Sequence, residues 1–444
     1  MENLTYNVRQ SGWHKGWHML VNPLLAMSVM VGLATGGMFV FYLITDHERT
    51  RRLFSLLTLC FTALSFTILL LGTDFAEWGR ASLQVLLGAT SLLLSFFLGY
   101  AVTAYFVLGR REDERNTARS DLDRPAARPQ VDQLGKLRPA VIYYATAEPE
   151  GYQTRQQTSF YNQRQAQGLP TPLTLLRPFA MSRLRDRYAA LGQSPQRHIQ
   201  TKVAQKVQER LGRRYRVYLA FSDDHPWLEE IAATAVADGY QHLIVVRPRL
   251  AAASGGERTA ILLRGLNLEE HGVAVRDAPP LANAEPLLRG LVRRISESAH
   301  PQQGGGVLLL TQAHPEEQEF EQLLCAMLIE SGYQPARVAT AMLHQLESIT
   351  AACRQLAAAG ATHIVALPVA SSSDSLTTLY DIPRQITATQ QRAALTASLT
   401  TLGGWNDDEG VITAIVDAIK AVMGENDGST SKPDVQPVYR ASQV

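Results

Sequence analysis

The sequence predicts an α/β protein of two Rossmann-like halves with parallel sheets, preceded by a three-helix transmembrane bundle. Three observations lead there: long apolar runs confined to residues 1–109, short β-branched runs alternating with helical stretches from residue 138 on, and two similar stretches, one in each half. At 444 residues the chain exceeds the usual size of one domain. The expected division is a membrane domain over 1–109, a polar linker over 110–137, an α/β domain over 138–423 with halves of about 138–300 and 301–423, and a disordered tail over 424–444.

The apolar runs cover residues 24–44, 53–72 and 83–108. Each is long enough to cross a hydrocarbon core of ~30 Å, which takes about 20 helical residues. Three such runs joined by short turns do not fit a cleavable signal peptide, which has one short apolar stretch, so an integral anchor in the lipid bilayer is expected. Arg49, Arg51 and Arg52 fill the first loop and Arg110, Arg111 and Arg115 follow the third run, whereas the second loop, with Asp74, Glu77 and Arg80, is not net basic. That asymmetry places the first loop and the C-terminal domain in the cytoplasm and the N-terminus outside, in a multi-pass protein of the inner (cytoplasmic) membrane. Gly32 and Gly36 allow close helix approach, either within the bundle or against another membrane subunit. Trp13, His14, Lys15, Gly16, Trp17 and His18 read as an interfacial belt, with a metal at the His14/His18 spacing as the competing reading.

Lys plus Arg number 42 against 41 Asp plus Glu, which gives no reason to expect a nucleic-acid partner. The three cysteines, Cys60, Cys325 and Cys353, form no CxxC pair and are too few for a four-cysteine cluster, so the soluble part is expected in a reducing compartment. Residues 110–138 are rich in Arg, Asp, Gln and Pro without apolar periodicity, as in a solvated tether.

Strands are expected at 140–145, 216–221, 242–246, 306–311, 336–341 and 363–367, and helices at 227–238, 316–331 and 344–359, where apolar residues recur at three- and four-residue intervals. The stretches 238–246 and 359–367 echo each other: a helix end with glycine (Gly239, Gly360), a turn, then a buried strand opened by His242 or His363. Both histidines read as strand-edge residues. A crevice between two such halves is where a doubly wound protein places its ligand.

At this level of detail residues 138–423 resemble the ferrochelatase family. Ser373-Asp374-Ser375-Leu376-Thr377-Thr378-Leu379-Tyr380-Asp381 stands where that family has Ser-Asp-His-Ile-Glu-Thr-Leu-Tyr-Glu, Gln312-Ala313-His314-Pro315 where it has Ser-Ala-His-Ser, and Asn406-Asp407 where it has a late Leu-Asn-Asp. Tyr188 to Pro195, including Ser194, is similar to its Gly-Gly-x-Ser-Pro segment, and Ala220 to Glu230 to its strand-to-helix turn, where His225 reads as a turn residue.

The resemblance implies insertion of a divalent metal into a porphyrin, a reaction that removes two pyrrole protons and needs a positioned base. The family histidine is kept as His314, a candidate catalytic group, metal ligand or axial haem ligand. The family glutamate is replaced by Thr377 and a second histidine by Ser375, and a threonine hydroxyl is no base near neutral pH. Asp374, Tyr380 and Asp381 are kept, either as partial stand-ins for the acid or for the sake of the fold. Pro248-Arg249-Leu250-Ala251-Ala252-Ala253-Ser254 replaces a pocket stretch with two aromatics, leaving Arg247, Arg249 and Ser194 as candidate contacts to a tetrapyrrole carboxylate. Three readings follow: a structural or accessory subunit of a membrane complex, catalytically degenerate; a module that binds porphyrin or haem without inserting metal; and an active membrane-bound chelatase for iron or another divalent metal.

Overall fold

The computed structural model describes residues 27, 29–45, 48–71, 78–108, 137–166, 171–250, 263, 266–312 and 315–424. They fall into two compact units: the first holds the described residues of 1–112 and 152–189, the second those of 113–151 and 190–444. The tether, the tail, the tryptophan-histidine stretch, His314 and residues 251–254 lie outside the described residues.

In the first unit the three apolar runs overlap helices α1 (Val29–Ile44), α2 (Glu48–Leu71) and α3 (Trp78–Leu108), and the described residues do not bear out three membrane spans. Among the described residues, Gly88–Leu108 is the one stretch long and apolar enough to cross a membrane, and α1 is a shorter apolar helix. Glycines set the contact of α1 with α3. A Cβ on Gly32 would lie 1.9 Å from Ser95 Oγ, one on Gly36 2.1 Å from the Phe96 carbonyl, and one on Gly99 2.2 Å from the Leu33 carbonyl. Gly32 and Gly36 therefore serve packing within the unit.

Helix α4 (Thr154–Ala166), a 3-10 turn (Thr174–Leu176) and the Arg177 end of α5 (Arg177–Leu191) complete this unit. A helix leaves its last carbonyls unpaired and partly negative, and two buried arginines meet that need. Arg185 Nη1 donates to the carbonyls of Leu43 (3.0 Å), Tyr42 (3.3 Å) and Thr45 (3.4 Å) at the end of α1. Arg177 Nη1 donates to Leu108 O (2.9 Å) at the end of α3 and to Asn162 Oδ1 (2.8 Å), and its Nη2 to Gln165 Oε1 (2.7 Å). Tyr161 and Met181 pack with Val40, Leu43, Tyr100 and Leu108 in one apolar cluster.

The second unit contains eight parallel strands. The first half holds β1 (Pro139–Ala145), β2 (Arg216–Phe221), β3 (His242–Val246) and β4 (Ala274–Asp277), ordered β2-β1-β3-β4. The second holds β5 (Gly305–Thr311), β6 (Val338–Met342), β7 (His363–Pro368) and β8 (Ser398–Thr401), ordered β6-β5-β7-β8. The same order in both sheets gives the sequence echo its structural form, with Gly239 and Gly360 both at positive φ (90° and 80°) before β3 and β7.

Six of the eight strands match the expected ones within two residues. The exceptions, β4 and β8, are four-residue edge strands with alternating exposure, too short for a buried-strand signature. Their helices are α6 (Gln196–Leu211), α7 (Leu228–Ala237), α8 (Glu285–Ser298), α9 (Pro315–Glu330), α10 (Leu346–Ala358), α11 (Ile382–Ala393) and α12 (Glu409–Met423). Side chains alternate across each central strand. Val141, Ile244, Leu309 and Val365 face a core shared by both halves with Val207, Leu288, Leu291, Ile415 and Ile419. Ile142 and Val245 face α7, and Leu308 and Ala366 face α10 and α11.

Arg177→Met leaves one helix-terminal carbonyl and two side-chain amides without their donor. It is expected to lower stability by about 2–4 kcal/mol, read as a lower melting temperature of the full-length protein in detergent.

Candidate functional site

In a parallel sheet ordered 2-1-3-4 the chain winds in opposite directions from the two central strands, which opens a crevice at their C-terminal ends. The loops after β1, β3 and β7 meet this condition, the loop after β8 is hydrogen-bonded to the one after β7, and these loops carry most of the residues singled out by sequence. The first half contributes Glu148, three residues beyond β1. Its Oε2 accepts from Ser194 Oγ (2.6 Å) and from the Leu376 N–H of the second half (2.8 Å), while its own N–H donates to Gln196 Oε1 (2.8 Å). Ser194 is buried and thus oriented toward Glu148.

Gln200, fully buried on α6, makes the second link. Its Oε1 accepts from Tyr143 Oη (2.5 Å), and its Nε2 donates to Ser373 Oγ (2.9 Å) and Ser372 Oγ (3.2 Å). Glu148, Gln196 and Gln200 escaped the sequence reading, although a carboxylate just past the first strand of a doubly wound half was a signal for the first of them.

Asp374 acts as a clamp between two loops. Its Oδ1 accepts from Gly404 N (2.8 Å), its Oδ2 from Asn406 Nδ2 (2.9 Å), and its own N–H donates to Asn406 Oδ1 (2.8 Å). Gly403 is glycine for space, since a Cβ there would fall 2.1 Å from Asp374 Oδ1. Ser375 is buried, and its N–H donates to Thr378 Oγ1 at 2.7 Å. Thr377 opens a single π-helical turn over Thr377–Asp381, a local widening that accommodates the loop-to-helix transition into α11. Tyr380 Oη accepts from Arg384, whose guanidinium carbon lies 4.9 Å from the ring centroid, and Asp381 is the last residue of this turn and the N-cap position of α11.

Arg247 is engaged at the ends of β3 and β4, 3.5 Å from Asp277. Burial pushes the Arg247 guanidinium down and the Asp277 carboxyl up from their ordinary ranges, with each partner opposing the shift of the other. The Arg249 N–H donates to Arg247 O and its carbonyl accepts from Leu281 N, both within the loop after β3. His242 and His363 open their strands, and His363 Nδ1 lies 2.6 Å from Ser398 Oγ of β8. His225 receives the indole N–H of Trp227 (2.9 Å) and sits 3.4 Å from Glu230, in keeping with a turn residue.

Asp407 faces Lys202 (2.8 Å) and Lys206 (2.7 Å) of α6, whose hydrogen bonds push its carboxyl down to about 2. Among the described residues no group of three or more His, Cys, Asp or Glu is placed to hold a metal ion. The site is thus a cross-linked crevice in which Glu148 and Asp374 are already hydrogen-bonded.

Fold and crevice together define a two-half α/β protein with two parallel four-stranded sheets. A family model described as Ferrochelatase matches residues 170–315 of the chain. Solved structures of chelatases are similar at low identity. SirB from Bacillus subtilis with Fe3+ is 12% identical with a TM-score of 0.42, the match covering 64% of this chain and 95% of that one. CbiX, described as the terminal enzyme for biosynthesis of siroheme in denitrifying bacteria, is 15% identical with a TM-score of 0.35, covering 64% and 99%. DR2241 from Deinococcus radiodurans, a multi-domain protein with structural similarity to chelatases, is 14% identical with a TM-score of 0.40, covering 63% and 54%. No curated protein matches the chain.

Asp374→Ala removes the hydrogen bonds its carboxylate accepts from Gly404 N, Asn406 Nδ2 and Thr378 Oγ1 and is expected to destabilise the protein by about 2–4 kcal/mol with no ligand present. Unchanged melting would show that Asp374 is kept for chemistry alone. Asp407 has a folded-state value below its ordinary 3.8, so it stabilises the fold above that pH and the effect is lost as pH falls toward about 2. Asp407→Asn should therefore be less stable than the parent at neutral pH, and denaturant midpoints of the two should converge over that acid window.

Proposed function

We propose that this protein is a membrane-anchored, ferrochelatase-like protein that does not insert metal at an enzymatic rate and serves a membrane complex as an accessory subunit, with porphyrin or haem as its ligand. The observation that carries the reading is the fate of the acid. Proton removal from a pyrrole needs a base at the ring face. The position of the family glutamate is Thr377, and the nearest retained carboxylate, Asp374, spends both oxygens on Gly404 and Asn406. Freeing Asp374 for proton transfer would undo the clamp between the two loops. Loss of a positioned proton-transfer group costs roughly 10²–10⁴ in rate.

The anchor suits a hydrophobic tetrapyrrole, which partitions into lipid, and the apolar α3 supports placement in the cytoplasmic membrane. The two-half scaffold retains its crevice, which supports ligand binding without turnover. Other membrane subunits are the partners that fit an anchor of this size.

The full-length protein purified in mild detergent is expected to show a tetrapyrrole absorption band, or to acquire one on titration with protoporphyrin, and to show negligible insertion of ferrous iron or zinc. Thr377→Glu combined with Ser375→His should raise the insertion rate. A parent turnover above ~1 s⁻¹ would refute the degenerate reading in favour of an active chelatase. Absence of tetrapyrrole binding in both forms would leave a purely structural subunit.

A further inference from the structure

The turn before α5 carries an apolar edge that the ferrochelatase-like chemistry does not use. Leu173 is 73% exposed, Leu175 47%, Leu176 53% and Phe179 45%. Four large apolar side chains within seven residues form a costly surface in water. Their height along α3 gives that surface a setting. Tyr100 Oη donates to the carbonyl of Leu175, and the Phe179 ring packs against Tyr100 (5.9 Å between centroids) and Phe39 (6.2 Å). Tyr100 lies eight residues before the end of the stretch Gly88–Leu108, about 12 Å along a helix axis. Gly109, Arg110 and Arg111 follow, so the polar boundary falls at the end of α3 and the leucines sit well below it.

The backbone of the turn meets the demand that such a depth makes. Non-helical backbone inside a bilayer must have its polar groups paired by protein. Leu173 O accepts from both Leu176 N (2.7 Å) and Arg177 N (3.1 Å), Leu175 O accepts from Tyr100, and Pro172 O accepts from Arg177 Nε (3.4 Å). The one charge in the turn, Arg177, is buried and directed back to the Leu108 carbonyl at the boundary. Leu93, Leu94, Phe97 and Leu98 of α3 are exposed in the same unit, which gives it a further apolar surface suited to acyl chains.

We propose that residues 172–179 form a re-entrant wedge sunk into the acyl-chain region of the bilayer beside α3, held at its depth by Tyr100 and Arg177. The partner is phospholipid, and the wedge makes the segment between β1 and α6 part of the membrane anchor. The inference rests on the reading that α3 spans the membrane.

The test uses the full-length protein with Cys60→Ser as common background, whose own labelling serves as the blank, reconstituted into phosphatidylcholine–phosphatidylglycerol vesicles. Leu173→Cys, Leu176→Cys, Leu94→Cys and Glu269→Cys each receive a nitroxide, and collision with oxygen is compared with collision with a water-soluble nickel chelate. The oxygen-to-nickel ratio at 173 and 176 is expected to be severalfold above that at the exposed Glu269 position and close to that at 94. A high ratio at 94 with water-like values at 173 and 176 would overturn the wedge while leaving the span intact. Shielding of 173 and 176 from both reagents would also overturn it, by showing protein rather than lipid on that edge. Water-like values at 94 itself would remove the span, and the wedge with it.

Discussion

The second unit is governed by the burial of its central strands on both faces. β1, β3, β5 and β7 are apolar through almost their whole length, and a parallel strand of that kind is stable only between two layers. One layer is private to each half: α7 covers the first sheet, and α10 with α11 the second. The other is shared, because Val207 of α6, Leu291 of α8 and Ile415 of α12 belong to a single core with residues of both sheets. The halves are therefore obliged partners, and a crevice at their strand ends follows from the same constraint. Gly290 and Gly410 mark how close the shared layer is drawn, since a Cβ at Gly410 would come 2.3 Å from the Pro286 carbonyl.

The crevice inherits its rigidity from that arrangement. Glu148 and Gln200 reach from the first half to Leu376 and Ser373 of the second, so the loop after β7 is tied to the first half at two points. Asp374 and Asn406 pin it a third time. Such a network fixes the geometry of the loop before any ligand enters the crevice.

Legibility in the sequence followed the physics of each signal. Buried parallel strands announce themselves as β-branched runs, and six of the eight were placed from that pattern. β4 and β8 were not, because a four-residue edge strand is specified by its neighbour: Ala274 to Asp277 pair with β3, and Ser398 to Thr401 with β7. The loop 373–381 was legible through its resemblance to a motif, but the role of Asp374 required the position of Gly404, thirty residues on. The pairing of Arg247 with Asp277 was equally hidden, since a strand-end arginine reads the same whether it meets a ligand or the next strand.

The buried arginines of the first unit were the least legible feature. In α4 and α5 polar and apolar residues are mixed without a clear face, and Arg177 and Arg185 look like solvent-facing residues of such helices. Their partners are backbone carbonyls of α1 and α3, which have no side-chain signature, so no pairing rule could connect positions separated by 69 residues or more. What the sequence does encode is a conflict. Helices whose ends are packed against protein present partial negative charge where water is scarce, and a guanidinium with five donors relieves it at the cost of its own burial. The conflict is resolved only when the insert docks on the helix ends, which ties the segment 152–189 to the apolar helices more firmly than chain connectivity alone would.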